Sequence, residues 1–322
     1  MAKHFEAGDN VSISENVRLV GQEIRIGSDT HIHRGVAINS RVIVLGDEST
    51  IEDGLQFSGY GSRFEKNQAE KFLIGDNVFM GFRSRITAPM FSVGDYSVLH
   101  NNLSIYGPAG LTIGHNAWIG QETIVNTRRS VIMGDNVRIG ARTQIWTHSA
   151  SGELIEGAAL YSEKEVVLED NTWLNGSVTI SPGVTVKSWS VVLTGAVLTK
   201  DTKPYHLYAG VPARDITDRI RPYNVLSLDD KYEVMRKLVK EFLSTRPEYS
   251  NRVFLVSGPE DVPSNIPDRD VLVILRDAKG NFAIKGNCVI DISTKKYRKV
   301  RSRIEMDFIK ANLAHNARFV PI

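Results

Sequence analysis

The chain has 322 residues, 39 Lys/Arg against 37 Asp/Glu, a net charge of +2 and a single cysteine, Cys288. That balance argues against general nucleic-acid binding, one cysteine leaves no internal disulfide, and no stretch of about 18 apolar residues is present to span a membrane. The opening Met-Ala-Lys-His-Phe-Glu shows no secretory apolar stretch, so a cytoplasmic location is the expectation.

From about Val11 to Lys200 an aliphatic residue recurs at every sixth position. The grid reads Ile26/Ile32/Ile38, Leu45/Ile51/Phe57, Ile74/Met80/Ile86, Val93/Leu99/Ile105, Ile113/Ile119/Val125 and Met133/Ile139/Ile145. It ends as Leu168/Leu174/Ile180/Val186/Val192/Leu198. Neither a helix nor an alternating strand repeats on that interval. Each hexad reads as a short strand and a tight corner, with the aliphatic residue inward and Gly, Asp or Asn at the turn. Three hexads close a coil of about 18 residues, and one coil cannot bury its own apolar side, so parallel strands stack coil on coil about 4.8 Å apart. Two intervals between coils are long. They predict outward loops near 60–71 and 147–165.

The six-residue period stops before Arg221-Pro222-Tyr223, which predicts domains over 1–222 and 223–322. From Asn224 onward Lys/Arg outnumber Asp/Glu 18 to 13, whereas the preceding residues carry 21 against 24. This second segment predicts a helix over Leu228–Thr245, with Val234, Leu238, Val239 and Phe242 on its apolar side. Strands follow at Arg252–Ser257, Asp270–Leu275 and Phe282–Ile292, with a hairpin at Gly280-Asn281. A second helix closes the chain over Arg303–His315. Between the last strand and that helix, Lys295–Arg303 forms a basic run. It reads as a solvated connection or as a contact for a polyanionic glycan or membrane surface.

The hexads, the segment Leu168-Glu-Asp-Asn-Thr-Trp-Leu-Asn-Gly176, the run Val197-Leu-Thr-Lys-Asp-Thr-Lys-Pro-Tyr205 and the tail Ala209-Gly-Val-Pro-Ala-Arg-Asp-Ile216 together resemble the hexapeptide-repeat acyltransferases. The likeness is greatest to enzymes that O-acetylate galactosides, maltose and surface polysaccharides. It implies a mainly β fold, a left-handed parallel β-helix, carrying here a small C-terminal α/β or α+β domain. It also implies acetyl-CoA as co-substrate, no metal, a sugar or polysaccharide acceptor, and a homotrimer whose sites lie between subunits.

The same resemblance implies site residues. His148, after the third hexad of its coil and before the second loop, matches the general base that takes a hydroxyl proton. Gly176 matches the position whose main-chain N–H meets the thioester oxyanion. Trp173, Asn175, Thr194, Thr199, Lys200 and Arg214 match the groove that holds the cofactor, the last two as partners for its phosphates. Glu153, or a backbone carbonyl, is the candidate to orient the imidazole. Stacking of coils places Trp146 over Asn126 and His148 near Arg128, which makes Asn126, Arg128 and Trp146 candidates for the acceptor. His31, His33, His100, Asn101, Asn102 and the 60–71 loop are further contributors from a neighbouring subunit.

Three other readings compete. An N-acetyltransferase acting on an amino-sugar nucleotide would use the same scaffold. A zinc carbonic anhydrase on this fold would use His115, but Gly120 stands where a further ligand is required. A non-catalytic scaffold would need neither His148 nor the Lys200 and Arg214 tail.

Overall fold

The structure, a computed structural model, describes residues 3–61, 68–150 and 152–322. It divides into two compact units, Met1–Tyr223 and Asn224–Ile322. The first is a parallel β-solenoid of three faces. Strands such as Glu23–Ile26, Ala69–Ile74 and Val131–Met133 build the first face. Phe79–Met80, Trp118–Ile119 and Trp173–Leu174 belong to the second, and Gln56–Ser58, Arg85–Thr87 and Ile124–Asn126 to the third. Register between coils is that of the hexads: Leu45 pairs with Ile74, and Ile74 with Val93. Ala37–Leu45 is one continuous strand that crosses from the third face to the first and joins them. The stack begins at His4–Ala7, earlier than the sequence pattern announces, because that strand pairs in register with Glu23–Ile26.

Every aliphatic residue of the hexad grid is buried. First-face strands also turn in a second residue, two positions earlier, as at Ile43, Phe72, Phe91, Val131 and Val166. Phe57, Phe72 and Phe91 stack within this core, with ring centroids 4.7 Å apart for the first pair and 5.6 Å for the second. The corners are held by polar ladders. Asn116 Nδ2 donates to Asn136 Oδ1 at 3.0 Å, and Asn136 Nδ2 donates to Asn171 Oδ1 at 3.1 Å. All three asparagines are left-handed, a conformation their short amides tolerate. Beside them the N–H groups of Asp47, Asp76 and Asp135 donate to the carboxylates of Asp76, Asp95 and Asp170. His115 takes a rung of this ladder. Its Nδ1 accepts from Asp95 N–H at 2.9 Å and its own N–H donates to Asp135 at 2.7 Å.

Of the loop expected over 60–71, residues 62–67 lie outside the described residues, and the first-face strand resumes at Ala69. The second loop is ordered as an arm. His148–Ala150 pairs antiparallel with Tyr161–Glu163, around a 3₁₀ turn at Leu154–Glu156.

The second unit is a five-stranded mixed sheet with helices α1, Leu228–Thr245, and α2, Arg303–Asn312. Ser227 caps α1 in a reciprocal box with Asp230. Val253–Val256, Leu272–Leu275 and Cys288–Asp291 run parallel, Lys296–Arg298 turns back against them, and Val320–Pro321 runs parallel to Lys296–Arg298. The hairpin expected at Gly280-Asn281 is therefore absent: the turn lies within a crossover, since both flanking strands are buried throughout and pair side by side in parallel. The basic run does not form one charged face. Lys295 lies over the Phe319 ring at 5.3 Å, and burial, with Arg318 and Lys231 nearby, pushes its ammonium down to about 8. Arg298 donates to the Lys285 carbonyl, and Arg303 pairs with Asp307 at 3.2 Å. Among the described residues no helix is long and apolar enough to cross a membrane.

Because Phe72 is fully buried between two other rings, Phe72→Ala should cost about 3–5 kcal/mol. Chemical denaturation followed by circular dichroism measures this, and a loss under about 1 kcal/mol would contradict the stacked core.

Candidate active site

The third-face strand Gln144–Ile145 lies directly over Ile124–Val125. Trp146, Thr147 and His148 therefore follow over Asn126, Thr127 and Arg128. Asn126 is only 3% exposed, and its side-chain oxygen collects three donors. Arg128 N–H approaches at 3.3 Å, Thr147 Oγ1 at 3.1 Å and His148 Nδ1 at 2.8 Å. A main-chain N–H can only donate, so Asn126 presents oxygen at this point and not its NH₂. Nδ1 of His148 must then carry hydrogen, and in the neutral ring Nε2 keeps the lone pair. The half-buried imidazole is thus held through Nδ1 by Asn126.

The arm that carries His148 is pinned from the opposite strand. Glu163, which pairs with His148 across the arm, accepts from Arg128 Nε and from Arg129 Nη2, the latter at 2.9 Å. Tyr161 also hydrogen-bonds this carboxylate. That bond and the one from Arg128 hold the Glu163 carboxyl down at about 2. Thr147 ties the base of the arm to the coil below, accepting from Arg129 N–H at 3.0 Å while donating to Asn126. Between the arm and the next coil lies a cavity of about 370 Å³, lined by Trp146, His148, Ser149, Ala150, Ser181 and Pro182. Trp146 forms one wall, its indole N–H donating to Gln144 Oε1 at 3.2 Å.

Several expected assignments change. Glu153 does not orient the imidazole: it is an exposed residue at the start of the 3₁₀ turn, and Asn126 holds Nδ1 instead. Asn126 is no acceptor contact, because its side chain is buried and engaged by three protein donors. Arg128 is a strut for the arm through Glu163 before it is a ligand contact. Four residues that the sequence did not single out, Thr147, Glu163, Ser181 and Pro182, complete the site. Only the coil register could have indicated Ser181, which sits one coil above Trp146.

The remaining residues fall into separate groups. Thr199 and Lys200 are exposed on the same corner as His148, two coils above Trp146 and Thr147. Trp173 points outward from the second face, 48% exposed, and Asn175 follows it. Gly176 and Thr194 stack on the corner between the second and third faces. Within one chain they lie about 15 Å from the His148 corner, the width of the third face. Arg214 is exposed, on a strand antiparallel to Leu207–Ala209. His100 packs edge-on against Trp118, with centroids 4.8 Å apart, and Asn101 accepts from Phe82 N–H. His100 follows a second-face strand, and Asn101 stands in the column of Gly176, at the corner between the second and third faces. Among the described residues no three His, Cys, Asp or Glu side chains gather closely enough to hold a metal.

Comparison with known proteins matches residues 73–106 and 110–143 to the hexapeptide repeat of succinyl-transferase. Galactoside O-acetyltransferase of Escherichia coli K12 is 30% identical over 139 residues, covering 40% of this chain and 68% of the enzyme. Among solved structures, the polySia-specific acetyltransferase NeuO gives a TM-score of 0.44 at 19% identity, covering 70% of this chain and 93% of its own. A hexapeptide-repeat-containing acetyltransferase from Vibrio cholerae, complexed with acetyl coenzyme A, gives 0.28 at 28% identity, covering 42% and 68%.

Glu163 sets a pH window for the arm. Its folded carboxyl is depressed to about 2, so its contribution is complete above the ordinary carboxylate range and is lost as pH falls through about 2. Limited proteolysis across the exposed 152–160 segment should therefore stay slow down to about pH 4, while Glu163→Gln should be cut several-fold faster at neutral pH. Equal cutting of both proteins at pH 7 would remove Glu163 as the anchor.

Proposed function

The chain belongs to the hexapeptide-repeat acetyltransferase family, and from that premise we propose that it moves an acetyl group from acetyl-CoA to a sugar hydroxyl, with His148 as general base. The observation that carries this reading is the 2.8 Å contact between His148 Nδ1 and Asn126 Oδ1. It leaves Nε2 as the basic nitrogen of a residue that lines a cavity. The acceptor oxygen attacks the thioester carbonyl carbon as its proton passes to Nε2. The oxyanion then collapses, the C–S bond breaks, and the imidazolium returns the proton to the departing thiolate. Asn126 is a positioning residue that fixes ring and tautomer.

Gly176 supports the donor half. Among the described residues its N–H donates to no acceptor, which suits it to receive the oxyanion. The separation of Gly176 from His148 within one chain favours a site shared between two copies, in keeping with the homotrimer expected from the resemblance. Trp173, Asn175 and Thr194 would flank the thioester arm on one copy, and Thr199, Lys200 and Arg214, all exposed, would meet its phosphates. A sugar hydroxyl is the acceptor class we favour, since the named relative is a galactoside O-acetyltransferase; a surface polysaccharide is the acceptor that the resemblance implies. An amino-sugar nucleotide acceptor remains the outcome to test against it. The cytoplasm, where acetyl-CoA is available, is the expected location.

Thiol release from acetyl-CoA, measured with neutral and acidic oligosaccharides and with amino-sugar nucleotides, tests the reading. His148→Ala should lower acceptor-dependent turnover by about 100-fold or more. Asn126→Asp places a carboxylate against Nδ1 and favours the imidazolium, so the acidic limb of kcat/KM should move to higher pH. Full activity in His148→Ala, or an unmoved limb in Asn126→Asp, would count against these roles.

A further inference from the structure

A second cavity, about 580 Å³, lies on the outer side of the third face over the first coils. Arg18 and Arg85 stand at its two ends in one outward column, Arg18 over Ala37, Ala37 over Gln56 and Gln56 over Arg85. Three coil steps separate them by about 14 Å. Both are exposed, and among the described residues neither pairs with an acid. The parallel column carries Val20 at its start, over Asn39, and is polar from there on, with Asn39, Ser58 and Thr87. Between the columns the floor is bare main chain, because Ile38, Phe57 and Ile86 turn their side chains into the core.

We propose that this groove binds an acidic oligosaccharide, its carboxylates meeting Arg18 and Arg85 and its hydroxyls meeting Asn39, Ser58 and Thr87. Two isolated cations at that spacing suit an extended chain with repeated charges rather than one compact anion. The hydroxyl and amide groups of the second column suit a polyol. Phe57, the lining aromatic residue, offers no ring to a nucleobase.

The column also leads to the candidate active site. Arg85 is in register with Ser104, Ile124 and Gln144, and Gln144 holds the indole of Trp146. Arg85 and Gln144 are again three coils apart, about 14 Å. A glycan lying along this face would run parallel to the solenoid axis and reach the His148 corner. The groove would then select long acidic acceptors over short or neutral ones. This inference rests on the reading of the acceptor as a glycan.

Direct binding to the full chain without acetyl-CoA separates the two ideas, since it does not depend on turnover. The ligands are hexamers and dimers of galacturonate, mannuronate and sialic acid, with maltohexaose as the neutral control, read by calorimetry. At least one acidic hexamer should bind ten-fold or more tighter than its dimer and than maltohexaose, and should weaken several-fold between 50 and 300 mM NaCl. Arg18→Ala/Arg85→Ala should weaken it ten-fold or more with an unchanged melting transition, while Arg18→Lys/Arg85→Lys should retain most of the affinity. If no acidic hexamer exceeds maltohexaose, or if the double alanine variant binds as wild type, the groove is not an acidic-glycan site. Binding here with no acetyl transfer to any glycan would sink the catalytic reading instead.

Discussion

One coil of the solenoid has an interior too thin to exclude water, so each depends on the coils above and below. In-register parallel pairing satisfies the backbone, and the inward residues at the hexad positions fill the axis. The corner ladders extend the same dependence to polar groups: Asn136 both accepts from Asn116 and donates to Asn171. Position along the axis is thereby quantised in coil steps. Any side chain has known neighbours one step up and one step down.

The candidate site uses this rigidity. Two corners carry a left-handed residue in nearly every coil and have little slack. The third corner takes the extra chain, and there the arm of 148–163 leaves the solenoid. An arm alone would place His148 loosely. Asn126 and Thr147 tie its root to the coil below, and Glu163 clamps its return strand to Arg128 and Arg129. His148 stands on a coil whose register is set by the whole stack, the support that the proposed catalytic role would need.

The second unit is built on other terms. Leu272–Leu275 is buried on both sides between parallel neighbours, the pattern of a strand covered on two faces. Its buried carboxylate, Glu305, accepts from the main chain of Val300, Arg301 and Ser302 just ahead of α2, with its carboxyl raised by burial. That arrangement closes the loop that leads from the basic run into α2.

The amino-acid sequence by itself determined the solenoid, because a six-residue period has one structural meaning and repeats often enough to outweigh local exceptions. Helix α1, Leu228–Thr245, was legible for a similar reason, its apolar periodicity being a local signal. Coil counting also brought His148, Trp146, Asn126 and Arg128 together. What it could not decide was which way a side chain turns once stacked. Coil counting places Asn126 correctly but does not show its side chain buried among three donors, and nearness in sequence to His148 makes Glu153 a candidate although the turn leaves it exposed. The Gly280-Asn281 turn reads as a hairpin in sequence because a turn reports its own geometry and not the partner of the strand that follows. Only the tertiary structure settled these points. Glu163 lies 35 residues beyond Arg128, and no local rule selects a contact that exists only after an arm has folded back on the coil beneath it.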